Sequence, residues 1–171
     1  MKSLTQYILE SQSFSVYILV GLPGSGKSTW IKENHPNIEI LSKDNIRKEL
    51  GIMDEDQIKK IGNKEQEKEV NKIYQERFLN LLEKEKDFAI DNTNIGTATK
   101  YILDNIKRHN KHHNNCKSIG VNIKTPKEVC MKRRENCIPE KVYNDMELGL
   151  KWLNSDDCDK IINVEYNEKN N

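Results

Sequence analysis

The chain has 171 residues, of which 35% are apolar and 32% charged, and its formal net charge is +1 at pH 7. This length suits one domain with a single core over residues 1–171, and the near-neutral charge excludes a basic shell that would attract nucleic acid or membranes at long range. No apolar run approaches the ~18 residues of a membrane span, and the N-terminus lacks the long apolar centre of a signal peptide, so we expect a cytoplasmic protein of a cell or of a virus-infected host.

In chain order, the first half of the sequence alternates strand and helix patterns. The apolar, β-branched run at 15–20 predicts a buried strand. Residues 42–51 predict a helix that is capped by Ser42 or Asp44 and closed by Gly51. The other expected elements are a leading helix at 3–11, a helix from about Lys27, a strand at 37–41, a loop or lid at 52–63 and an amphipathic helix at 64–84.

The second half continues the alternation. Thr125 is a candidate helix cap, with Pro126 at the first helical position. The other expected elements are strands at 87–94, 118–123 and 159–166 and helices at 97–109 and 139–153. Strands that alternate with helices imply a parallel sheet covered on both faces. We therefore predict an α/β fold with about five parallel strands and a core over residues 15–166.

A glycine-rich segment follows the first strand. Residues 21–28 read G-x-x-x-x-G-K-S, which between a strand and a helix is typical of a nucleotide phosphate-binding loop, or P-loop. Its glycines allow sharp turns that aim backbone N–H groups at phosphate oxygens, while Lys27 places a charge near the phosphates and Ser28 offers a hydroxyl to Mg²⁺. We expect a P-loop NTPase fold that binds ATP and Mg²⁺. The predicted nucleotide-binding residues of this loop are Gly21, Gly24, Ser25, Gly26, Lys27, Ser28 and Thr29.

A carboxylate and a guanidinium follow the second strand. Asp44 and Arg47 are three residues apart on a predicted helix, so both can face the cleft at the carboxyl ends of the strands. Asp44 could accept the proton of an attacking hydroxyl, and Arg47 could seat an anionic part of the acceptor. The alternative is an N-cap aspartate and a surface ion pair.

Four segments together resemble a known family. The runs "GLPGSGKSTW", "SKDNIR", "IDNTN" and "TPKEVCMKRREN…IPEKVYNDM" are similar to the kinase domain of the 5′-hydroxyl polynucleotide kinases of phage and bacterial end-healing systems. The resemblance covers most of residues 15–166. It implies ATP-dependent phosphoryl transfer to the 5′-hydroxyl end of a nucleic acid, either DNA or RNA.

The resemblance also implies roles for individual residues. Asp44 corresponds to the general base, and Arg47 to the arginine that contacts the 3′-side phosphate of the acceptor. Arg133 corresponds to the first arginine of a lid around 126–138 and would contact the ATP phosphates. The residues expected to line the acceptor side are Asp91, Thr93 and Asn94.

The lid departs from the family pattern. Cys137 stands where the family usually has a second arginine. Arg134 could replace it, or it could lie on a solvated helix face. If Arg134 does not replace it, transition-state stabilisation is weaker, because such arginines contribute a factor of ~10³–10⁵.

Two other functions compete with the polynucleotide kinase. A small-molecule kinase acting on a nucleoside, a sugar or an antibiotic, or on a modified base within DNA, would use Asp44 in the same way. A nucleotide-switched binding module would not need the acid and arginine on the acceptor side. The expected partners are nucleic acid ends and no membrane, and the sequence permits a homo-oligomer.

The cysteines and histidines offer one further possibility. Cys116, Cys130, Cys137 and Cys158 form no C-x-x-C pair and are typical of free thiols in a reducing cytosol. A zinc site around His112, His113 and Cys116 is an alternative, although no second ligand pair has matching spacing.

Overall fold

The computed structural model describes residues 13–52, 63–134 and 138–167. The predicted leading helix at 3–11 and nearly all of the predicted loop at 52–63 lie outside these residues. The elements of the described part are β1 (Phe14–Val20), α1 (Lys27–Asn34), β2 (Glu39–Leu41), α2 (Lys43–Glu49), α3 (Lys64–Glu83), β3 (Phe88–Asp91), α4 (Thr97–Asn110), β4 (Cys116–Lys124), α5 (Lys127–Arg133), α6 (Glu140–Gly149) and β5 (Lys160–Glu165). None of these helices is both long enough and apolar enough to cross a bilayer.

The five strands form one parallel sheet in the order β2-β3-β1-β4-β5, which confirms the predicted α/β architecture. β1 lies at the centre, with β3 on one side and β4 on the other. The chain therefore changes direction across the sheet at β1, and in such sheets ligands bind outside the carboxyl ends of the strands at this point. The glycine-rich loop leaves β1 at that end.

Both faces of the sheet are covered by helices. Successive residues of a strand point to opposite faces, and Ile18 and Leu19 of β1 accordingly enter different apolar clusters. Ile18 belongs with Phe78 of α3 and Ile102 of α4. Leu19 belongs with Ile31 of α1. Because both faces are buried at the centre of the sheet, β1 and β3 are nearly continuous apolar runs, which is the pattern that made them predictable.

The helix predicted at 139–153 is shorter in the structure. α6 ends at Gly149, and the backbone of Leu150 is extended. A tertiary contact explains the difference. The Asn122 side chain accepts a hydrogen bond from the Leu153 N–H at 3.0 Å and donates one to the Leu153 carbonyl at 2.9 Å. The chain must leave the helix to place Leu153 against the sheet, where it is buried.

The start of α5 also differs from the prediction. Thr125 does not cap the helix, since its hydroxyl donates to the Ser25 carbonyl at 2.7 Å. Pro126 occupies the N-cap position, and the helix begins at Lys127. The residue predicted to start the helix therefore ties it to the glycine-rich loop.

Candidate active site

The glycine-rich loop has the backbone that its sequence predicts. Gly24 and Gly26 have φ angles of +80° and +100°, a region that residues with a side chain rarely adopt. A Cβ at Gly24 would approach the Cys130 carbonyl oxygen to 2.7 Å. The hydroxyl of Ser25 is buried and has no hydrogen-bond partner among the described residues. The loop is thus a tight backbone turn with an uncommitted polar atom, which fits an oxyanion ligand.

Lys27, the first residue of α1, is buried beneath this loop. Its ammonium group donates to the carbonyl oxygens of Gly21 and Leu22, both at 2.9 Å. Burial lowers the pKa of Lys27, and the carboxylates of Asp91 and Asp44 oppose that shift. Two acids from different strand ends therefore act on the lysine of the loop.

Ser28 and Asp91 form the pair that best fits a magnesium ion. The Ser28 hydroxyl donates to Asp91 Oδ2 at 2.5 Å, and Asp91 ends β3 opposite Leu19 of β1. Oxygen ligands of this kind suit Mg²⁺, and a loop hydroxyl with a strand-end aspartate is how P-loop proteins hold it. The sequence predicts Asp91 on the acceptor side, whereas the structure places it against the phosphate side.

Asp44 and Arg47 lie together on α2, as predicted. Ser42, and not Asp44, caps this helix, because the Ser42 side chain accepts from the Asp44 N–H at 3.2 Å. Arg47 Nη1 donates to Asp44 Oδ1 at 2.6 Å. The Asp44 side chain is 61% exposed, so it is neither a cap nor buried.

Arg47 has a second acidic partner that the sequence did not predict. Its Nε and Nη2 donate to the two carboxylate oxygens of Glu67, at 2.9 and 2.8 Å. The side chains of Arg47 and Glu67 are only 19% and 23% exposed. The hydrogen bonds that Arg47 donates to Glu67, together with the negative charges of Glu67 and Asp44, raise the pKa of Arg47, so its charge is permanent and already balanced by carboxylates.

One cleft of about 1940 Å³ joins these groups. Typical small-molecule sites enclose about 300–1,000 Å³, so this cleft has room for a nucleotide and a second substrate. Of the predicted site residues, Gly21 is not on its lining. Those that line it are Gly24, Ser25, Gly26, Lys27, Ser28, Thr29, Asp44, Arg47, Asp91, Thr93, Asn94, Arg133 and Arg134.

The Asn94 side chain stabilises the wall of the cleft. It is buried, with a φ angle of +51°, and its amide nitrogen donates to the Leu19 carbonyl at 2.7 Å. That bond joins the loop after β3 to the end of β1. Thr93 is half-buried beside it. The side-chain nitrogen of Asn94 is thus bonded to the backbone, so a substrate contact by Asn94 would have to use its side-chain oxygen.

The described residues of the lid lie over the glycine-rich loop. Arg133 Nη1 donates to the Gly24 carbonyl at 3.3 Å, and its guanidinium stands 5.7 Å from the ring centre of Tyr166. Arg134 lies close enough to lower the pKa of Lys27. Both predicted lid arginines are therefore on the phosphate side, whereas Cys137 lies outside the described residues.

Sequence reasoning missed two neighbours of the acceptor side. Glu67 is 20 residues from Arg47 in the sequence, so no local pattern links them. Asn92 accepts from the Lys43 N–H at 3.0 Å and thereby joins β3 to the start of α2. Asn92 lies within the polar run after the third strand, so that run could have indicated that Asn92 belongs to the site.

Comparisons with known proteins agree with the fold. A family model described as an AAA domain matches residues 16–136. A search of curated proteins gives no significant match.

Three solved structures have similar folds. A candidate kinase from Chloroflexus aurantiacus has a TM-score of 0.62 at 13% identity, over 90% of this chain and 86% of its own. A fungal RNA kinase has a TM-score of 0.56 at 14% identity, over 93% and 78%. Shikimate kinase from Aquifex aeolicus has a TM-score of 0.50 at 22% identity, over 91% and 89%. At these identities the likeness shows the fold, which is that of P-loop kinases, and leaves the acceptor undetermined.

Proposed function

Because the chain belongs to the AAA domain family and has a P-loop kinase fold, we propose that it transfers the γ-phosphoryl group of ATP to the 5′-hydroxyl end of a nucleic acid. One observation carries this proposal. Asp44 and Arg47 line the same cleft as Lys27 and Ser28, so an acid and a cation face the phosphate loop across a space large enough for an acceptor. A nucleotide-switched binding module would have no use for that pair.

On the donor side, the backbone of residues 21–28 and Lys27 would hold the ATP phosphates, with Arg133 and Arg134 approaching from the lid. Ser28 and Asp91 would hold Mg²⁺, which when bound neutralises charge on the phosphate oxygens. Lys27 is buried beneath the loop, where its ammonium group donates to the carbonyl oxygens of Gly21 and Leu22. These bonds hold the side chain at the loop, and it would exchange the carbonyl oxygens for phosphate oxygens when the nucleotide binds.

On the acceptor side, Asp44 would take the proton of the attacking hydroxyl as the new O–P bond forms and the bond to ADP breaks. General bases of this kind contribute a factor of ~10²–10⁴ in rate. Its exposure keeps it accessible to a substrate, and Arg47 fixes its orientation through the 2.6 Å bond. Arg47 would also contact the phosphate on the 3′ side of the acceptor nucleotide.

A small-molecule acceptor is the second candidate, and one observation favours it. Arg47 faces two carboxylates, so its charge is compensated before any acceptor phosphate arrives. A neutral hydroxyl compound, such as a nucleoside, a sugar or an antibiotic, would not need a free guanidinium. In that case Arg47 serves to position Asp44. A hydroxyl on a modified base within DNA is a variant of the same idea.

Labelled ATP and a panel of acceptors test the proposal. The panel contains 5′-hydroxyl DNA, 5′-hydroxyl RNA, a nucleoside 3′-phosphate and free nucleosides. We expect transfer to the oligonucleotides and the 3′-phosphate, and Asp44→Asn should lower kcat by about 10²–10⁴ while ATP binding persists. Asp104→Asn is the matched control, because Asp104 is an acid on α4 that pairs with Lys100 away from the cleft. Near-normal turnover by Asp44→Asn would show that Asp44 is not the base, and transfer to free nucleosides alone would favour the second candidate.

A further inference from the structure

Three potential metal ligands gather at the amino-terminal end of the strands, opposite the end that holds the cleft. His109 lies in the last turn of α4, His113 follows one turn later, and Glu85 lies between α3 and β3. The His109 ring packs edge-on against Phe14, at 5.6 Å between ring centres. Phe14 is the first residue of β1, whereas the glycine-rich loop follows the last. The cluster is therefore separate from the candidate active site.

The distances between the ligand atoms suit one small cation. Glu85 Oε1 lies 3.4 Å from His113 Nδ1 and 3.8 Å from His109 Nε2, and one ligand atom of each residue lies within 4.8 Å of the others. For Zn²⁺ at about 2.0–2.1 Å from nitrogen, tetrahedral geometry puts neighbouring ligand atoms about 3.3 Å apart. Small side-chain rotations would bring all three to that separation.

Helical geometry explains why both histidines face one carboxylate. The His113 N–H bonds to the His109 carbonyl at 3.1 Å, which continues the helical turn beyond Asn110 and stacks the two rings 4.5 Å apart. Asn115 places its side-chain oxygen 3.0 Å from His109 Nε2. A fourth potential ligand atom, the Asn115 oxygen, is thus available, either as a ligand or as the acceptor from a metal-bound water.

The ligand types of the cluster also favour a transition metal. Imidazole nitrogen with one carboxylate suits transition metals such as zinc, whereas Mg²⁺ and Ca²⁺ prefer all-oxygen sites.

We propose that Glu85, His109 and His113 form a binding site for a divalent transition metal, with Zn²⁺ as the best-fitting ion. This replaces the zinc alternative that the sequence suggested. Cys116 is buried in the apolar cluster that contains Phe14 and Ile18, and neither Cys116 nor His112 belongs to the group of ligands. The site is independent of the proposed kinase activity.

Bound metal would join the turn before β3 to the end of α4. A ligand that binds only the folded state stabilises it by mass action. At free Zn²⁺ about 100-fold above Kd, we expect the Tm of a protein of this size to rise by about 5–10 °C. The proposal thus predicts a structural site, detectable without any assay of turnover.

The experiment compares Zn²⁺ binding by chelator competition in untagged wild-type protein and in three variants, without nucleotide. His113→Ala and Glu85→Gln each remove one ligand, and His112→Ala is the matched control because it removes the exposed neighbouring histidine. We expect one Zn²⁺ per chain in wild type, at least about tenfold weaker binding in the two ligand variants, and wild-type binding in the control. The Tm of each variant without metal shows whether it folds.

Cobalt(II) provides the second measurement. Metal held by nitrogen and oxygen gives visible d–d absorption without the near-ultraviolet band of cobalt–thiolate charge transfer. A thiolate band in the wild-type spectrum would place the metal on cysteine and overturn the proposal. Equal Zn²⁺ affinity in wild type and Glu85→Gln, equal losses in His112→Ala and His113→Ala, or no stoichiometric binding would also overturn it.

Discussion

The ion pair between Arg47 and Glu67 offers the sharpest test of the acceptor side. Glu67→Gln keeps the size of the side chain and removes its charge. Among the described residues, Arg47 would then keep Asp44 as its ionised partner, whose side chain is 61% exposed and pairs with Arg47 at 2.6 Å. The substitution therefore weakens the hold on one side of the guanidinium without touching the phosphate loop.

The expected loss of unfolding free energy follows from the two hydrogen bonds between Arg47 and Glu67 that are lost or weakened. Arg47 and Glu67 share hydrogen bonds of 2.9 and 2.8 Å, and both side chains are about four-fifths buried, with 19% and 23% exposed. A hydrogen bond to a charged group contributes about 1.5–3 kcal/mol, and the remaining exposure and the retained amide oxygen reduce the total. We expect a loss of about 2 kcal/mol in the free energy of unfolding, or about 4–8 °C in Tm.

Thermal and urea unfolding measure this loss against a matched control. Arg77 and Glu49 form the same two-pronged pair, but their side chains are 46% and 51% exposed. Glu49→Gln should therefore change stability by less than about 0.5 kcal/mol. Equal losses in the two variants would refute the reasoning that burial makes the Arg47 pair strong.

Kinetics of the same variant separates the two candidate functions. If Arg47 contacts an acceptor phosphate, Glu67→Gln should lower the KM for a nucleoside 3′-phosphate and leave that for a free nucleoside unchanged. Arg47→Ala should raise the first KM. Equal changes for both acceptors would mean that Arg47 acts only by positioning Asp44.

Two further predictions concern the phosphate side. Asp91→Asn should raise the Mg²⁺ concentration needed for half-maximal transfer, because Asp91 contacts Ser28 at 2.5 Å, and an unchanged Mg²⁺ titration would contradict its assignment to the metal. Gly24→Ala should destabilise the fold by more than the ~1–2 kcal/mol of a left-handed residue, since the new Cβ would meet the Cys130 carbonyl oxygen at 2.7 Å. Gly51→Ala is the control, because Gly51 has a φ angle of +65° and no atom within 4 Å of the new Cβ, so thermal and urea unfolding of this variant measure the backbone cost alone. Equal losses of unfolding free energy in the two variants would show that the loop makes no tight contact with α5.

Much of the fold and part of the site could be predicted because their signals are local. The five strands are short segments rich in apolar or β-branched residues, and each lies within a few residues of its expected position. The glycine-rich loop specifies its own turns, which Gly24 and Gly26 confirm with their positive φ angles. Asp44 and Arg47 could be paired because a helix brings residues three apart onto one face.

Other features depend on contacts that no short stretch of sequence contains. The end of α6 at Gly149 follows from Asn122 holding the backbone of Leu153, and the link from Thr125 to Ser25 spans 100 residues. Tertiary packing overrides local propensity in such places.

The sequence by itself thus determined the strand and helix pattern, the phosphate loop and one half of the acceptor site, because backbone turns and side-chain periodicity act between near neighbours. Only the tertiary structure decided that Ser28 meets Asp91, that Glu67 balances Arg47, and that Glu85 approaches His109 and His113. Those contacts require the strand order of the sheet, which is set by the joint burial of both its faces.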